Sequence, residues 1–78
     1  MANSQEQAST GANNVEYDLV AEMHALLKGN AALEQYLQDA KQAGDAELES
    51  CFKQIYEQNR QTVTALRQLI GQRFSQAA

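Results

Sequence analysis

The side chains best suited to chemistry are few in this chain and lie far apart in its sequence. It has one histidine, His24, and one cysteine, Cys51. Nucleophilic catalysis needs a base close to the nucleophile, and a zinc site needs closely spaced Cys or His ligands. The sequence shows neither of these patterns. It also lacks the Gly-rich loop that binds phosphate groups. His24 is interpreted as an isolated surface or boundary histidine, with a ligand or a base as the alternative. Cys51 is interpreted as a small buried or boundary thiol, with a reactive or bridging thiol as the alternative. We therefore expect a protein that is not an enzyme and holds no cofactor.

Metal binding is the alternative chemistry, and Glu34 is its main candidate. This carboxylate falls at the edge of a predicted apolar strip, where helical bundles recruit Glu as a metal ligand, and a symmetric dimer would bring two copies together. His24 and Glu57 are the further candidates, and the metal would be iron or zinc. A glutamate at a strip edge more often extends to solvent or pairs with a base, so the prediction without a metal is preferred.

Two amides and a hydroxyl interrupt the predicted apolar core. Asn30 and Asn59 fall at strip positions on two different helices, and Thr62 lies one turn from Asn59. An amide pair in a helical interface fixes register and partner number at some cost in stability, which is the interpretation we prefer. A remodelled ligand or metal site is the alternative, although amide and hydroxyl oxygens are weak ligands for transition metals.

Two helices must position these side chains. Helix-forming residues dominate from Val15 to about Phe74 without a proline, and no useful stretch alternates with period two. The sequence predicts one helix over about residues 15–43 and a second over about 46–74. Residues 1–14 are polar and short-chained, and such a segment cannot offset its ordering entropy by burial, so they are predicted to form a disordered leader.

The predicted turn occupies residues 44–45. Gly44 suits the left-handed backbone that ends a helix, and Asp45 is a preferred N-cap for the next one. Because so short a connection makes the helices antiparallel neighbours, we expect a helical hairpin over residues 15–75. A turn at this place puts Asn30 at the level of Asn59.

Apolar residues recur on both helices at spacings that alternate between three and four, which is the heptad pattern of helices packed side by side. On the second helix the central positions are predicted to be Leu48, Phe52, Ile55, Asn59, Thr62, Leu66, Leu69 and Arg73. Further apolar residues widen each strip on one side: Val20 and Leu27 on the first helix, and Tyr56, Val63 and Ile70 on the second.

A strip of this width contacts more than one neighbour. We therefore predict an all-α fold in which two antiparallel hairpins form a four-helix bundle as a homodimer, with higher homo-oligomers left open. The dimer core is expected to contain Leu19, Met23, Leu26, Leu33, Leu37, Phe52, Ile55, Leu66 and Leu69.

Gly29 is the feature that competes with a continuous first helix. Lys28-Gly29-Asn30 has the pattern of a helix stop followed by a cap, and glycine inside a helix costs about 1 kcal/mol relative to alanine. The heptad keeps its phase across Gly29, which favours a continuous helix. A broken first helix, and with it a three-helix protein, is the alternative.

Charge and hydropathy narrow the possible partners. Ten acidic residues against six basic ones give a net charge of −4, which argues against a general binder of nucleic acids or anionic membranes. No apolar run approaches the ~20 residues of a membrane span, and the N-terminal residues do not resemble a signal peptide. A single cysteine is compatible with a reducing compartment. We therefore expect a cytoplasmic protein. Arg60, Arg67 and Arg73 are interpreted as a solvated helix face, with a nucleic-acid-binding regulator as the alternative.

A rhythm of Ala, Leu and aromatic residues runs through Glu34-Gln-Tyr36, Ala40, Ala43-Gly44-Asp45, Leu48, Phe52-Lys-Gln-Ile55 and Glu57-Gln-Asn-Arg60. Over roughly residues 17–74 the chain resembles the helix–turn–helix half of ferritin-like proteins such as rubrerythrins and the small encapsulated ferritins. That resemblance implies a four-helix bundle with a di-iron centre, held by a Glu on the first helix and a Glu-x-x-His on the second.

The chain departs from the ferritin-like pattern at the metal ligands. No histidine follows His24, so a Glu-x-x-His cannot form on the second helix. The resemblance then implies that the iron ligands have been replaced by the neutral side chains of Asn30, Asn59 and Thr62, and Glu34 is the one ligand that carries over.

Two functions from different classes follow. The preferred prediction is a non-catalytic helical module that associates with itself and offers a helical face to another protein. The alternative is a metal-binding ferritin-like protein with a degenerate or intersubunit site. The former rests on the wide strips of both helices, and the latter on Glu34.

Overall fold

The computed structural model describes residues 14–77, which form two long α-helices joined by a short turn, with no strand in this part of the chain. Helix α1 comprises Asn14–Gln42 and helix α2 comprises Ala46–Ala77. The predicted all-α hairpin is confirmed, and its assembly with a second copy stays a prediction. The predicted leader, apart from Asn14, lies outside the described residues. Neither helix contains a stretch, within the range described, that is long and apolar enough to cross a membrane.

The turn is closed by the backbone and by one carboxylate. Gly44 has a φ of 70°, Asp45 N donates to Ala40 O (3.0 Å) and Gly44 N donates to Lys41 O (3.1 Å), which are the hydrogen bonds of a Schellman motif. Asp45 Oδ1 accepts a 3.1 Å hydrogen bond from Leu48 N and so caps α2. The roles predicted for Gly44 and Asp45 are confirmed.

Helix α1 is continuous through Gly29, as the preserved heptad phase predicts, and the three-helix alternative is not observed. Gly29 does not have a positive φ, and a Cβ built on it would meet nothing within 4 Å. The glycine therefore lies in ordinary helical backbone beside open space in the isolated hairpin.

One face of α1 packs against α2 in the predicted register. Asn30, Leu33 and Ala40 are buried, and the flanking contact positions are half-buried: Leu19, Met23, Leu26 and Leu37. Asn59 hydrogen-bonds across to Asn30, so the two residues that the turn was expected to place at one level do meet. The register predicted from the turn is confirmed.

The face that α2 turns toward α1 is one part of its wide apolar strip. Val63 is buried, and seven other positions of α2 are half-buried: Glu49, Phe52, Tyr56, Asn59, Thr62, Leu66 and Ile70. By contrast, Leu48, Ile55 and Leu69 were expected at the centre of the strip and are 40%, 43% and 40% exposed, and Arg73 is exposed as well. The apolar strip of α2 is three heptad columns wide and α1 covers two of them, so the place of Ile55 and Leu69 in a dimer core stays a prediction.

The core that results is thin. The buried apolar side chains of the described residues are Leu33, Ala40 and Val63. No large side chain in residues 14–77 is less than 2% exposed. Nine large apolar side chains in the same range keep 40% or more of their surface exposed: Val15, Tyr17, Val20, Leu27, Tyr36, Leu48, Ile55, Leu69 and Phe74. The hairpin therefore leaves more large apolar side chains at its surface than it buries.

Candidate functional site

A polar layer crosses the helix pair near the middle of its length. Asn30 Nδ2 donates to the backbone O of Tyr56 (3.1 Å), and Asn59 Nδ2 donates to Asn30 Oδ1 (2.9 Å). Asn30 is 7% exposed, and no buried side-chain nitrogen or oxygen of the described residues lacks a hydrogen-bond partner. Burying an amide costs free energy unless it is hydrogen-bonded, so these two contacts are what make Asn30 tolerable in the core.

The carbonyl of Tyr56 shows how the layer ties the helices together. A carbonyl oxygen has two lone pairs, and inside a helix one of them accepts the intrahelical hydrogen bond. The second lone pair of Tyr56 O accepts from Asn30 Nδ2. Asn30 thus binds both the backbone and the side-chain surface of α2, which specifies a single register for the two helices.

Thr62 does not share in these contacts. Its hydroxyl donates to Gln58 O (3.0 Å), four residues earlier in the same helix, and the buried position beside it belongs to Val63. Asn30 and Asn59 are therefore brought together as the sequence indicates, while Thr62 stands half-buried on the neighbouring heptad column. The oxygen of Thr62 retains its capacity to accept a hydrogen bond.

Glu34, the main metal candidate, is bonded to a tyrosine. Tyr56 Oη donates to Glu34 Oε2 (3.1 Å) across the helix pair. This hydrogen bond raises the pKa of Tyr56 above its usual value of 10.0, because it favours the protonated phenol; the negative charge of Glu34 and partial burial act in the same direction, and the positive charge of Arg60 opposes them. Glu34 therefore holds α1 to α2 through Tyr56, a contact that the sequence interpretation missed.

The other metal candidates do not converge with Glu34. His24 and Glu57 are both exposed, and residues 14–77 contain no group of three or more His, Cys, Asp or Glu side chains that could hold a metal ion. A metal site built from these residues would need ligands from a second chain. Cys51 is an exposed free thiol, whereas a buried or boundary thiol was the preferred expectation.

The exposed apolar residues divide into two flanks of the hairpin. In an antiparallel pair, heptad columns that border the interface on the same side face each other across the two helices. We call one side the apolar flank, which comprises Leu48, Ile55, Thr62 and Leu69 of α2 with Val15, Glu22, Gly29 and Tyr36 of α1. We call the other the charged flank, which comprises Lys53, Arg60, Arg67 and Phe74 of α2 with Val20, Leu27, Glu34 and Lys41 of α1.

Each flank has a local feature that supports this division. On the apolar flank, the rings of Tyr36 and Phe52 lie 5.8 Å apart at 46°, an aromatic contact near the turn. On the charged flank, a shallow groove of about 230 Å³ lies over the polar layer, and Leu27, Arg60 and Arg67 are among its lining residues. The apolar flank has one charged side chain among its defining residues, whereas the charged flank has five.

No protein-family model, curated protein or solved structure matches this chain. The likeness to ferritin-like proteins stays a prediction.

Proposed function

We propose that this chain is a non-catalytic helical module that associates with itself, two hairpins forming one four-helix bundle. A single observation carries the proposal. Three apolar side chains are buried in residues 14–77, while nine large ones remain at least 40% exposed, and those on the apolar flank follow one another at heptad spacing along α2. Such an arrangement is typical of a helix that has one more neighbour to contact.

The energetics of a small core point the same way. Ordering one residue of backbone costs about 1–2 kcal/mol, and a single core in a chain of this size supplies no more than about 3–5 kcal/mol of net stability. A hairpin whose core consists of Leu33, Ala40 and Val63, with half-buried neighbours, lies at the weak end of that range. A second copy would cover the exposed stripes without any change in helix register, because the polar layer already fixes the pairing of α1 with α2.

The same surface would serve a helical face of another protein, which is the second half of the proposal. Helices presented to a groove or a partner helix bind through apolar side chains at heptad spacing. We also propose a reducing compartment such as the cytoplasm, for which the exposed free thiol of Cys51 is the supporting observation.

The experiment is the absolute molar mass measured by light scattering during size exclusion, at two protein concentrations a hundredfold apart. We expect twice the chain mass of 8.6 kDa at the higher concentration. Helix content, measured by circular dichroism on the same samples, should rise with the fraction of dimer. A monomer at both concentrations that still unfolds cooperatively would overturn the proposal, because the hairpin would then need no partner.

A further inference from the structure

We propose that the second copy packs on the apolar flank, with α2 antiparallel to α2 of the second copy and Asn59 opposite Thr62 of the second copy. This inference rests on the proposed self-association and specifies its surface, direction and register. It begins from the three apolar columns of α2, of which α1 covers two. The column left over, Leu48, Ile55, Thr62 and Leu69, borders the half-buried column of Phe52, Asn59 and Leu66. Together these two columns form an unused heptad seam.

The choice of flank follows from charge. On the charged flank, Lys53, Arg60 and Arg67 recur at heptad spacing, so two copies of α2 packed there would bring cations against cations. Like charges across an interface cost several kcal/mol and reject a partner. The unused seam of α2, by contrast, contains no charge between Leu48 and Leu69. Packing of α2 against α2 of a second copy is therefore unfavourable on the charged flank and favourable on the apolar flank.

The register follows from the one polar level of that seam. In an antiparallel pair, residues of adjacent columns meet in layers. One alignment sets Phe52 against Leu69 of the second copy, Ile55 against Leu66 of the second copy, and Asn59 against Thr62 of the second copy. Between Phe52 and Leu69, every layer is then apolar with apolar or polar with polar.

The neighbouring alignment, one heptad away, sets Asn59 against Ile55 of the second copy and Phe52 against Thr62 of the second copy. The alignment one heptad away in the other direction sets Asn59 against Leu69 of the second copy. An amide would be buried against methyl groups there, which costs free energy because its hydrogen bonds to water are lost. The pairing of Asn59 with Thr62 of the second copy thus selects one register from those that the heptad spacing allows.

Hydrogen-bonding capacity at Asn59 and Thr62 fits the selected register. Asn59 Nδ2 uses one hydrogen on Asn30 Oδ1, which leaves its second hydrogen to donate. The Thr62 hydroxyl uses its hydrogen on Gln58 O, which leaves the oxygen free to accept. Asn59 can therefore donate to Thr62 of the second copy, and the two-fold axis repeats that bond. The polar layer would then run through all four helices.

The direction of packing is supported by the charges at the two ends of α2. Glu47 and Glu49 lie in its first turn and Arg73 lies near its C-terminal end. In the selected alignment Arg73 reaches the level of Leu48 of the second copy, between the two acidic residues beside it. A parallel pair would instead gather the acids at one end and the arginines at the other, and would align the two helix dipoles.

The surface is large enough for a second copy. A helix of about 29 residues is about 44 Å long, and two helices side by side are about 20 Å wide, so the face offers about 900 Å² where a stable interface needs about 800 Å² per partner. Residues 1–13 are a poorer occupant, since Met1 is their one large apolar residue. The area and the apolar character both fit a second hairpin.

The test compares two matched substitutions, Ile55→Asp on the apolar flank and Leu27→Asp on the charged flank. Both side chains are aliphatic and similarly exposed, at 43% and 46%. We expect Ile55→Asp to raise the dimer dissociation constant at least a hundredfold, because it buries two carboxylates in the seam, one on each side of the two-fold axis. Leu27→Asp should leave the dissociation constant within about threefold. Equal effects of the two variants, or the larger effect at Leu27, would overturn the assigned face. A monomeric wild type would instead contradict the proposed function itself.

A second measurement uses the unsubstituted chain. A nitroxide attached to the exposed thiol of Cys51 reports the distance between the two copies by pulsed electron resonance. In the selected register the two labelled positions are offset by about 19 residues of helix, which at 1.5 Å per residue gives about 30 Å. The two neighbouring registers give about 20 Å and about 40 Å, a parallel pair gives about 20 Å or less, and any of these distances overturns the proposal. Thr62→Val should weaken the dimer about tenfold at unchanged distance, because the amide of Asn59 loses its acceptor.

Discussion

Asn59 donates a 2.9 Å hydrogen bond to Asn30, and this bond between two amides joins α1 to α2 in the middle of an otherwise apolar seam. The amide of Asn30 is buried and bonded on both sides, to Asn59 and to the carbonyl of Tyr56. A layer of this kind contributes little net stability, because the amides exchange water for each other, but it penalises any other register.

Replacing both amides by leucine is therefore expected to raise the free energy of unfolding by about 1 kcal/mol or more, since two apolar side chains of similar size would pack where a hydrogen-bonded pair stood. Urea unfolding measures the change. Asn30→Ala is the control, and it should lower stability by about 1–3 kcal/mol because it removes the partner of Asn59 and leaves a cavity. A double leucine variant less stable than the wild type would show that the amide pair stabilises the fold as well as its register.

Gly29 in α1 and Gly44 in the turn are expected to respond to alanine in opposite directions. Gly29→Ala should raise the free energy of unfolding by about 1 kcal/mol, because Gly29 has helical backbone and a Cβ meets nothing within 4 Å. Gly44→Ala should lower it by about 1–2 kcal/mol, because Gly44 has a φ of 70°. Thermal unfolding of both variants checks the pair. If Gly29→Ala instead lowers the free energy of unfolding, the added methyl group meets a neighbour. Because nothing in the hairpin lies within 4 Å of it, that neighbour would be a second chain on the apolar flank.

The hydrogen bond from Tyr56 to Glu34 predicts an alkaline loss of stability. The pKa of Tyr56 is raised in the folded state by that bond, so the folded chain holds the phenol proton more tightly than the unfolded chain does. The resulting contribution is fully present below pH 10 and is lost as the pH rises through the raised pKa. Urea midpoints of the wild type should fall more steeply than those of Tyr56→Phe between pH 9 and 11. If the urea midpoints of the two proteins fall equally with pH, the hydrogen bond from Tyr56 to Glu34 does not contribute to stability in this way.

Asp45 is expected to stabilise α2 through its cap. Asp45→Ala should lower the free energy of unfolding by about 1 kcal/mol, because Leu48 N loses its side-chain acceptor, and Asp45→Asn should retain most of the stability since an amide oxygen caps as well. Thermal unfolding of the two variants at equal concentration makes the comparison. If asparagine fails to restore what alanine loses, the carboxylate charge acting on the helix dipole is the larger contribution.

Much of the fold could be predicted from local sequence. Two helices are determined by the absence of proline and by the heptad spacing, and the turn between them by Gly44 and Asp45. The position of the turn determines that Asn30 meets Asn59. These features depend on neighbours in the chain, where backbone conformation and capping act over a few residues.

The rotation of α2 about its own axis could not be predicted in the same way. Its apolar strip spans the columns of Leu48, Phe52 and Tyr56, and the sequence alone indicates the width of such a strip but not which part α1 covers. The answer depends on contacts between helices, including the hydrogen bond from Asn30 to the carbonyl of Tyr56 and that from Tyr56 to Glu34. For the same reason Thr62 was grouped with the polar layer although Val63 takes the buried place.

The closed turn at Gly44 has a consequence for how fast the chain folds. Contacts between the helices join residues whose separation along the chain grows steadily away from the turn, from 22 between Glu34 and Tyr56 to 29 between Asn30 and Asn59. Such a topology allows folding to begin at the turn and proceed outward, with a small loop-closure entropy at each step, as in helical proteins that fold within microseconds to milliseconds. A shifted register would separate Asn30 from Asn59 and bury their amides unpaired, which costs free energy at the middle of the hairpin before the outer halves of the helices pack.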